Sequence, residues 1–404
     1  MIGTDSPNTG ALTGIRVIDL SRVLGGPVST QILGDHGADV IKVEPPMGDE
    51  TRNWGPPFRE ETASYFDGAN RNKRGIALDL RREEGRAVLL RMLEQADVLV
   101  ENFKIGTLEK WGLGYDDVLA ARFPRLIHCR ISGFGADGPL GGLPGYDAIL
   151  QAMGGLMSVN GTEEGGPTRV GLPVVDMVTG LNAVIGILLA LHARAETGQG
   201  QIVDATLFDS ALSLLHPHAA NYLISGKLPR RTGNAHPNIA PYSSYATATR
   251  PIYLAIGNDQ QFRHLCNEIG APEIADHPCF AGNALRVTHR EELRAALEAA
   301  MAELDGGVLA ERLIRAGVPA GPVLDVGESL AHPHTLHREM RVEIDGYQGI
   351  GAPARPRRNA PDYRRRPPRF AEHTGEILAE LGFSEAEAED LVKAGIAPRA
   401  RLGM

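Results

Sequence analysis

The stretch GLPVVDMVTG, residues 171–180, holds a single carboxylate, Asp176. Before it, Val174 and Val175 read as strand; from Met177 onward, LNAVIGILLALHA reads as an apolar helix. An aspartate at such a junction caps a helix by accepting a backbone N–H, a structural role worth about 0.5–2 kcal/mol. The positive end of a helix also keeps a carboxylate ionised, which is the state a nucleophile needs. The pattern alone allows both roles. Cations gather elsewhere: NRNKRG (70–75) sets Arg71, Lys73 and Arg74 before a strand, and Arg81, Lys104 and Lys110 lie near other strand–helix junctions. At the carboxyl ends of a parallel sheet they would surround a phosphate-bearing ligand; as a solvated charged surface they would need none. GFGADG (133–138) has dinucleotide-fingerprint spacing, but PLGGLPGYD follows where a helix must open. HPHTLH (332–337) offers three imidazoles, with Pro333 breaking the one-face spacing of a metal helix, so a loop or capping role is expected and no metal. No GxSxG motif supports serine hydrolase chemistry.

These residues need a scaffold. RVIDLS (16–21), a helix over GGPVSTQILGDHG and ADVIKVE (38–44) make a βαβ unit. GIALDL (75–80), the helical REEGRAVLLRMLEQA, DVLVENF (97–103) and RLIHCRIS (125–132) repeat the alternation, which predicts an α/β fold with a helix-covered parallel sheet. The chain has 404 residues, a formal net charge of −9 and 43% apolar residues, values that fit a soluble protein of two domains. The expected division is a large domain over 1–215, a linker or active-site loop over 216–249, a smaller α+β domain over 250–330, a Pro- and Arg-rich return linker over 331–369, and a C-terminal part of the large domain over 370–404. The acidic balance speaks against general binding to nucleic acid or an anionic membrane. Cys129, Cys266 and Cys279 have neither CxxC nor metal spacing and fit a reducing compartment; without an apolar leader, a cytoplasmic location is expected. The apolar run 181–193 is shorter than the roughly 20 residues a bilayer requires, which predicts a core helix.

Over nearly its whole length the sequence resembles the class III CoA-transferases, the group of formyl-CoA transferase and carnitine CoA-transferase, which share a superfamily with α-methylacyl-CoA racemase. The resemblance rests on LSRVLGGPVSTQILGDHGADVIKVEPP (20–46), NRNKRGIALDL, DVLVENF, ISGFGADGP, GYDAILQAMGGLMSVNG, PVVDMVTG with GILLALHARAETGQGQIVD, FAGNALRVTHREEL and VPAGPVLDV, in that order. It implies a Rossmann-like large domain with a smaller domain, and a chain closed into a ring interlocked with a second subunit as a homodimer. It implies Asp176 as the nucleophile, acylated as a mixed anhydride and then carrying CoA as a thioester between two carboxylic acids. Met177 and glycine-rich loops would supply N–H donors to the developing oxyanions. Coenzyme contacts carry over at Arg22, Leu78, Arg81, Asn102, Phe103, Lys104, Lys110, Tyr146 and Asp147. Acyl-CoA is the substrate, and no tightly bound cofactor is implied.

The sequence departs from formyl-CoA transferases at several points. Arg22 and Leu24 stand where those have His and Gln, Pro45 replaces an arginine, and GNAHPNIAPY (233–242) occupies the place of a tetraglycine loop. The GNAHPNIAPY and GNDQQF (257–262) segments are more similar to succinyl-CoA-dependent dicarboxylate transferases, and the resemblance makes Arg169, His236 and Tyr242 candidates for holding a distal carboxylate. Racemases carry a His base where this chain has Tyr146, so racemisation is the alternative; a CoA-binding protein without turnover is another, against which Asp176 argues.

Overall fold

The computed structural model describes residues 10–399. Within it the chain divides into two compact units, 10–154 with 171–214 and 334–399, and 155–170 with 215–333. The first unit is built on a six-stranded sheet. Its strands are β1 (Arg16–Asp19), β2 (Asp39–Glu44), β3 (Lys73–Ala77), β4 (Val98–Glu101), β5 (Ile127–Ser132) and β6 (Ile202–Thr206). Every pairing is parallel and the order is β3-β2-β1-β4-β5-β6. Val17 sits between Val40 on one side and Val98 on the other. Strands buried on both faces need continuous apolar runs, and Val17, Ile18, Val98, Leu99, Ile127 and Cys129 supply them. The winding reverses between β1 and β4, so a crevice opens there at the carboxyl edge.

Helices α1 (Gly25–Asp35), α2 (Glu83–Leu93), α3 (Asp147–Met153), α4 (Val174–Thr197) and α5 (Leu207–Ser213) accompany this sheet. The longest, α4, has 24 residues and ends on Gly198 in the left-handed conformation, whose N–H bonds Arg194 O. Its buried residues Val175, Thr179, Ala183, Ile187 and Ala190 recur at helical spacing. Three expectations are corrected here. Val174 and Val175 are helical, opening α4 directly after Pro173, with Val175 buried in the packing of that helix. Asp176 therefore lies inside the first turn, and Pro173 takes the cap position with no side-chain bond. The helix is also longer than the apolar run suggested: by length and composition alone it is able to span a membrane, yet its Ala183–Ile187–Ala190 stripe is fully buried in the protein.

The basic cluster is internal. Lys73 is 0% exposed and donates to Asp19 Oδ2 at 3.0 Å, Asn70 Oδ1 at 2.8 Å and the Pro27 carbonyl at 2.8 Å. Arg71 forms a fork with Asp35, and Arg74 pairs with Asp39, Glu376 and Glu380. Charges that face no water must find such partners, so these cations hold the sheet together and do not await a ligand. Helices α10 (Thr374–Glu380) and α11 (Glu385–Lys393) complete the unit: Ile377, Leu378 and Ala388 join the core around Leu89 and Met92. The return segment 331–369 is not a bare linker, since β10 (Arg341–Ile344) and β11 (Tyr347–Ile350) form a hairpin in it.

The second unit has an antiparallel sheet of β7 (Tyr242–Tyr245), β8 (Ile252–Ala255) and β9 (Ala320–Pro322), with β8 central. Helices α7 (Asp259–Glu268), α8 (Arg290–Met301) and α9 (Gly306–Arg315) close its core over Leu254, Phe262, Leu265, Leu297 and Leu313. The span 216–249, expected to be a linker, contains α6 (His218–Ser225) and β7 and belongs to this unit, as does 155–170. Tyr, Ser and His in those elements blurred the apolar periodicity that marks a strand or helix.

Candidate active site

The loop after β1 and the loop after β4 meet at the point where the sheet reverses. The Asn102 side-chain amide fastens them: its Oδ1 accepts from Arg22 N at 2.9 Å and its Nδ2 donates to Arg22 O at 2.7 Å. Val23 follows with φ 69°, a conformation a β-branched residue adopts only under strain of about 1–3 kcal/mol. The strain turns the chain sharply into α1, whose first residues are Gly25, Gly26 and Pro27. A cleft of about 240 Å³ opens here, lined among others by Arg22, Gly25, Lys104, Tyr146 and Asp176. A second cleft of about 360 Å³ is lined by Pro45, Met47, Leu78, Arg81 and Trp111, and shares Arg22, Phe103 and Lys104 with the first. Arg22 reaches toward Glu50 at 3.8 Å and over the Phe103 ring at 5.9 Å.

Asp176 is brought to the first cleft by close helix packing. A Cβ built on Gly180, one turn on, would lie 2.7 Å from Gly25 O, so only glycine lets α4 approach α1 this closely. A Cβ on Gly25 would in turn stand 3.9 Å from Asp176 Oδ1. The first turn of α1, whose N–H groups have no partner inside the helix, is thus beside the carboxylate. Burial, then the charge of Asp147, pushes the Asp176 carboxyl up to about 7. The expectation that Met177 would supply an oxyanion donor is corrected: its N–H is bonded to Pro173 O at 3.1 Å.

The candidate residues divide. Arg22, Phe103, Lys104 and Tyr146 line the first cleft with Asp176, and Leu78 and Arg81 line the second. Asn102 lies in the first cleft, but its amide is spent on the backbone of Arg22. Arg81 is held by a fork to Asp79. Lys110 is exposed and lines neither cleft. Asp147, expected to touch the coenzyme, is 7% exposed, and its carboxylate turns inward to backbone N–H groups of α4. In the second unit, His236 N donates to Tyr242 O at 2.9 Å and the two rings stand 5.0 Å apart, while Arg169 is exposed in the same unit. The glycine-rich stretch 133–146 contains no helix, and Gly133, Gly142 and Gly145 border the first cleft.

One residue was missed. Tyr65 is near enough to the pair of acids that their charges, added to burial, raise its phenol above the ordinary value. It packs edge-on against Trp54 with ring centroids 5.2 Å apart. It lies in ETASYFDGAN, between recognisable elements, where no local pattern marks it.

Residues 12–374 match the family model for CoA-transferase family III. The chain is 42% identical over 398 residues to a succinate–glutarate CoA-transferase from Agrobacterium fabrum, covering 95% of this chain and 99% of that one. It is 41% identical over 354 residues to an acetyl-CoA:oxalate CoA-transferase from Acetobacter aceti, covering 87% and 90%. A crystal structure of a CAIB/BAIF family protein from Brucella suis superposes with a TM-score of 0.84 at 44% identity, covering 92% of this chain and 99% of that one.

Proposed function

From the premise that this chain belongs to CoA-transferase family III, we propose that it moves CoA from succinyl-CoA, or a similar acyl-CoA, to a dicarboxylic acid through covalent catalysis by Asp176. The observation that carries this reading is the position of Asp176: a desolvated carboxylate, poised near neutrality, in a cation-lined cleft where the sheet reverses. The coenzyme's nucleotide end occupies the second cleft, over Leu78 and near Arg81, and its thioester passes Lys104 toward Asp176.

In this mechanism an Asp176 oxygen attacks the thioester carbonyl, the C–S bond of the adduct breaks, and CoA thiolate departs to leave a mixed aspartyl–acyl anhydride. The thiolate attacks the aspartyl Cγ, expelling the donor carboxylate and leaving an aspartyl-CoA thioester. The acceptor carboxylate attacks the same Cγ, thiolate departs again, and a second anhydride forms. Attack of thiolate on the acceptor's acyl carbon releases the new thioester and restores Asp176. Acyl transfer between oxygen and sulfur in a fixed site splits one hard exchange into steps of similar height. Backbone N–H groups at Gly25 and Gly26 are the donors we assign to the oxyanions. Arg169 and the His236–Tyr242 pair are our candidates for recognising a second carboxylate on the acceptor.

The test is to incubate the enzyme with succinyl-CoA, quench with hydroxylamine and locate the adduct by peptide mass spectrometry. A hydroxamate at Asp176, lost in D176A, is the expected result; a protein that binds the thioester but forms no adduct overturns the reading. Incubation of a 2-methylacyl-CoA in D₂O with α-deuterium uptake would instead favour racemisation.

We further propose a homodimer in the cytoplasm. Along α4, Leu181, Ile185, Leu188 and Leu189 are 43–65% exposed, an apolar face a second subunit would cover.

A further inference from the structure

The geometry assigns Asp147 as the positioning residue of the nucleophile, a carboxylate lent by α3 to cap the helix that carries Asp176. The inference rests on the nucleophile reading above. Helix α4 starts behind Pro173, which has no side-chain group to cap its first turn. Asp147 fills that place from another helix: its Oδ2 accepts from Val175 N at 2.8 Å and from Asp176 N at 3.2 Å. Its Oδ1 accepts from Gln151 Nε2 at 2.7 Å, and Gln151 also donates to Leu172 O at 3.2 Å. Asp147 and Gln151, one turn apart on α3, therefore grip the chain on both sides of Pro173. Both side chains are buried, so the grip is sheltered from water.

This arrangement does two things for one reaction. It fixes the backbone of Asp176 itself, which sets the aim of the nucleophile to within a hydrogen bond's tolerance. It also sets a negative charge at the helix end, offsetting the partial positive charge that would otherwise make Asp176 a weak base. Burial holds the Asp176 carboxyl above its ordinary value, and the charge of the second acid raises it further. Among the described residues, the other charged or titratable side chains around Asp176 are Tyr65 and, along the cleft, Arg22, Glu50, Lys104 and Tyr146. A residue that merely completed a core would influence stability but not the pH at which Asp176 becomes reactive.

The experiment measures the rate of hydroxylamine-trapped acylation at Asp176 against pH, in single turnovers, for wild type, D147N and D147A. D147N keeps an acceptor oxygen for the helix and removes the charge; the expected result is an acid-limb inflection lower by about one pH unit, with acylation at pH 8 slower by roughly 10-fold. D147A removes the cap as well, and kcat falls by roughly 100-fold or more while KM for acyl-CoA changes less than about 2-fold. If wild type forms no adduct at Asp176, the nucleophile reading fails and takes this inference with it. If wild type is acylated and D147N keeps both inflection and rate, Asp147 has no positioning role and the nucleophile reading stands. Should D147A not fold, the D147N profile decides alone.

Discussion

A buried acid that must ionise to react gives activity and stability opposite pH dependences. With its carboxyl raised to about 7, Asp176 is half charged near neutrality. We expect kcat/KM to rise with pH on an acid limb that levels off above about 7, read from initial rates at constant ionic strength. Stability runs the other way. A carboxyl whose folded value lies above its unfolded one binds more protons in the native state, so stability falls as pH rises from about 4 to 7. D176N, neutral at every pH, should unfold later than wild type at pH 8, by roughly 1–3 kcal/mol in denaturant titrations, with the gain gone below about pH 4. Asp19 presents the reverse case: burial is overcome by Lys73 and Lys42 and by bonds from Ser21 and Thr30, and its carboxyl falls to about 2. Burial pushes the Lys73 ammonium down to about 8, against the pull of Asp19. D19A would leave that cation without its carboxylate in the interior, and a loss of roughly 3–5 kcal/mol at pH 7 is expected from the same titrations. Asp176 was legible in the sequence as a carboxylate with two possible roles, and the resemblance pointed to one. Asp147 and Tyr65 were not legible in their roles, because what brings them to Asp176 is tertiary packing, which leaves no residue spacing to read.

At the scale of elements, the parallel strands were readable because burial on both faces forces near-continuous apolar runs, as in DVIKVE and VLVE. The start of α4 was misread for a related reason: Val174 and Val175 favour strands, and only tertiary packing overrides that preference. The basic residues of 70–75 were misread because charge in a sequence does not say whether its partner is water, ligand or a buried acid. The weakest point of the scaffold by this logic is the crossing of α1 and α4. G180A inserts a Cβ 2.7 Å from the Gly25 carbonyl, so the two helices must separate. We expect a loss of about 1–3 kcal/mol in stability and a kcat reduced by roughly 10-fold or more with little change in acyl-CoA binding, because Asp176 moves relative to the first turn of α1. Thermal unfolding and steady-state kinetics on the same preparation check both halves. A G180A enzyme with unaltered kcat would show that the crossing does not aim the nucleophile.

For the whole molecule, the outward face of α4 makes a prediction about assembly. Replacing Ile185 and Leu189 together by aspartate should convert a dimer to a monomer or to aggregated chain in sedimentation equilibrium, since charge on a covered apolar face costs several kcal/mol. A wild-type monomer, or one that pellets with lipid vesicles, would refute the assigned partner. The α/β class was legible in the sequence, whereas the second unit's first elements hid in a span without clear periodicity. The C-terminal pair α10 and α11 packs against the first unit, where Glu376 and Glu380 hold Arg74 of the edge strand β3. A ribosome therefore releases the beginning of the large unit long before the pieces that finish it. Until α10 and α11 emerge, Arg74 lacks two of its acidic partners and the Leu89–Met92 face of α2 lacks Ile377 and Leu378, so the large unit waits incomplete while residues 215–333 are made.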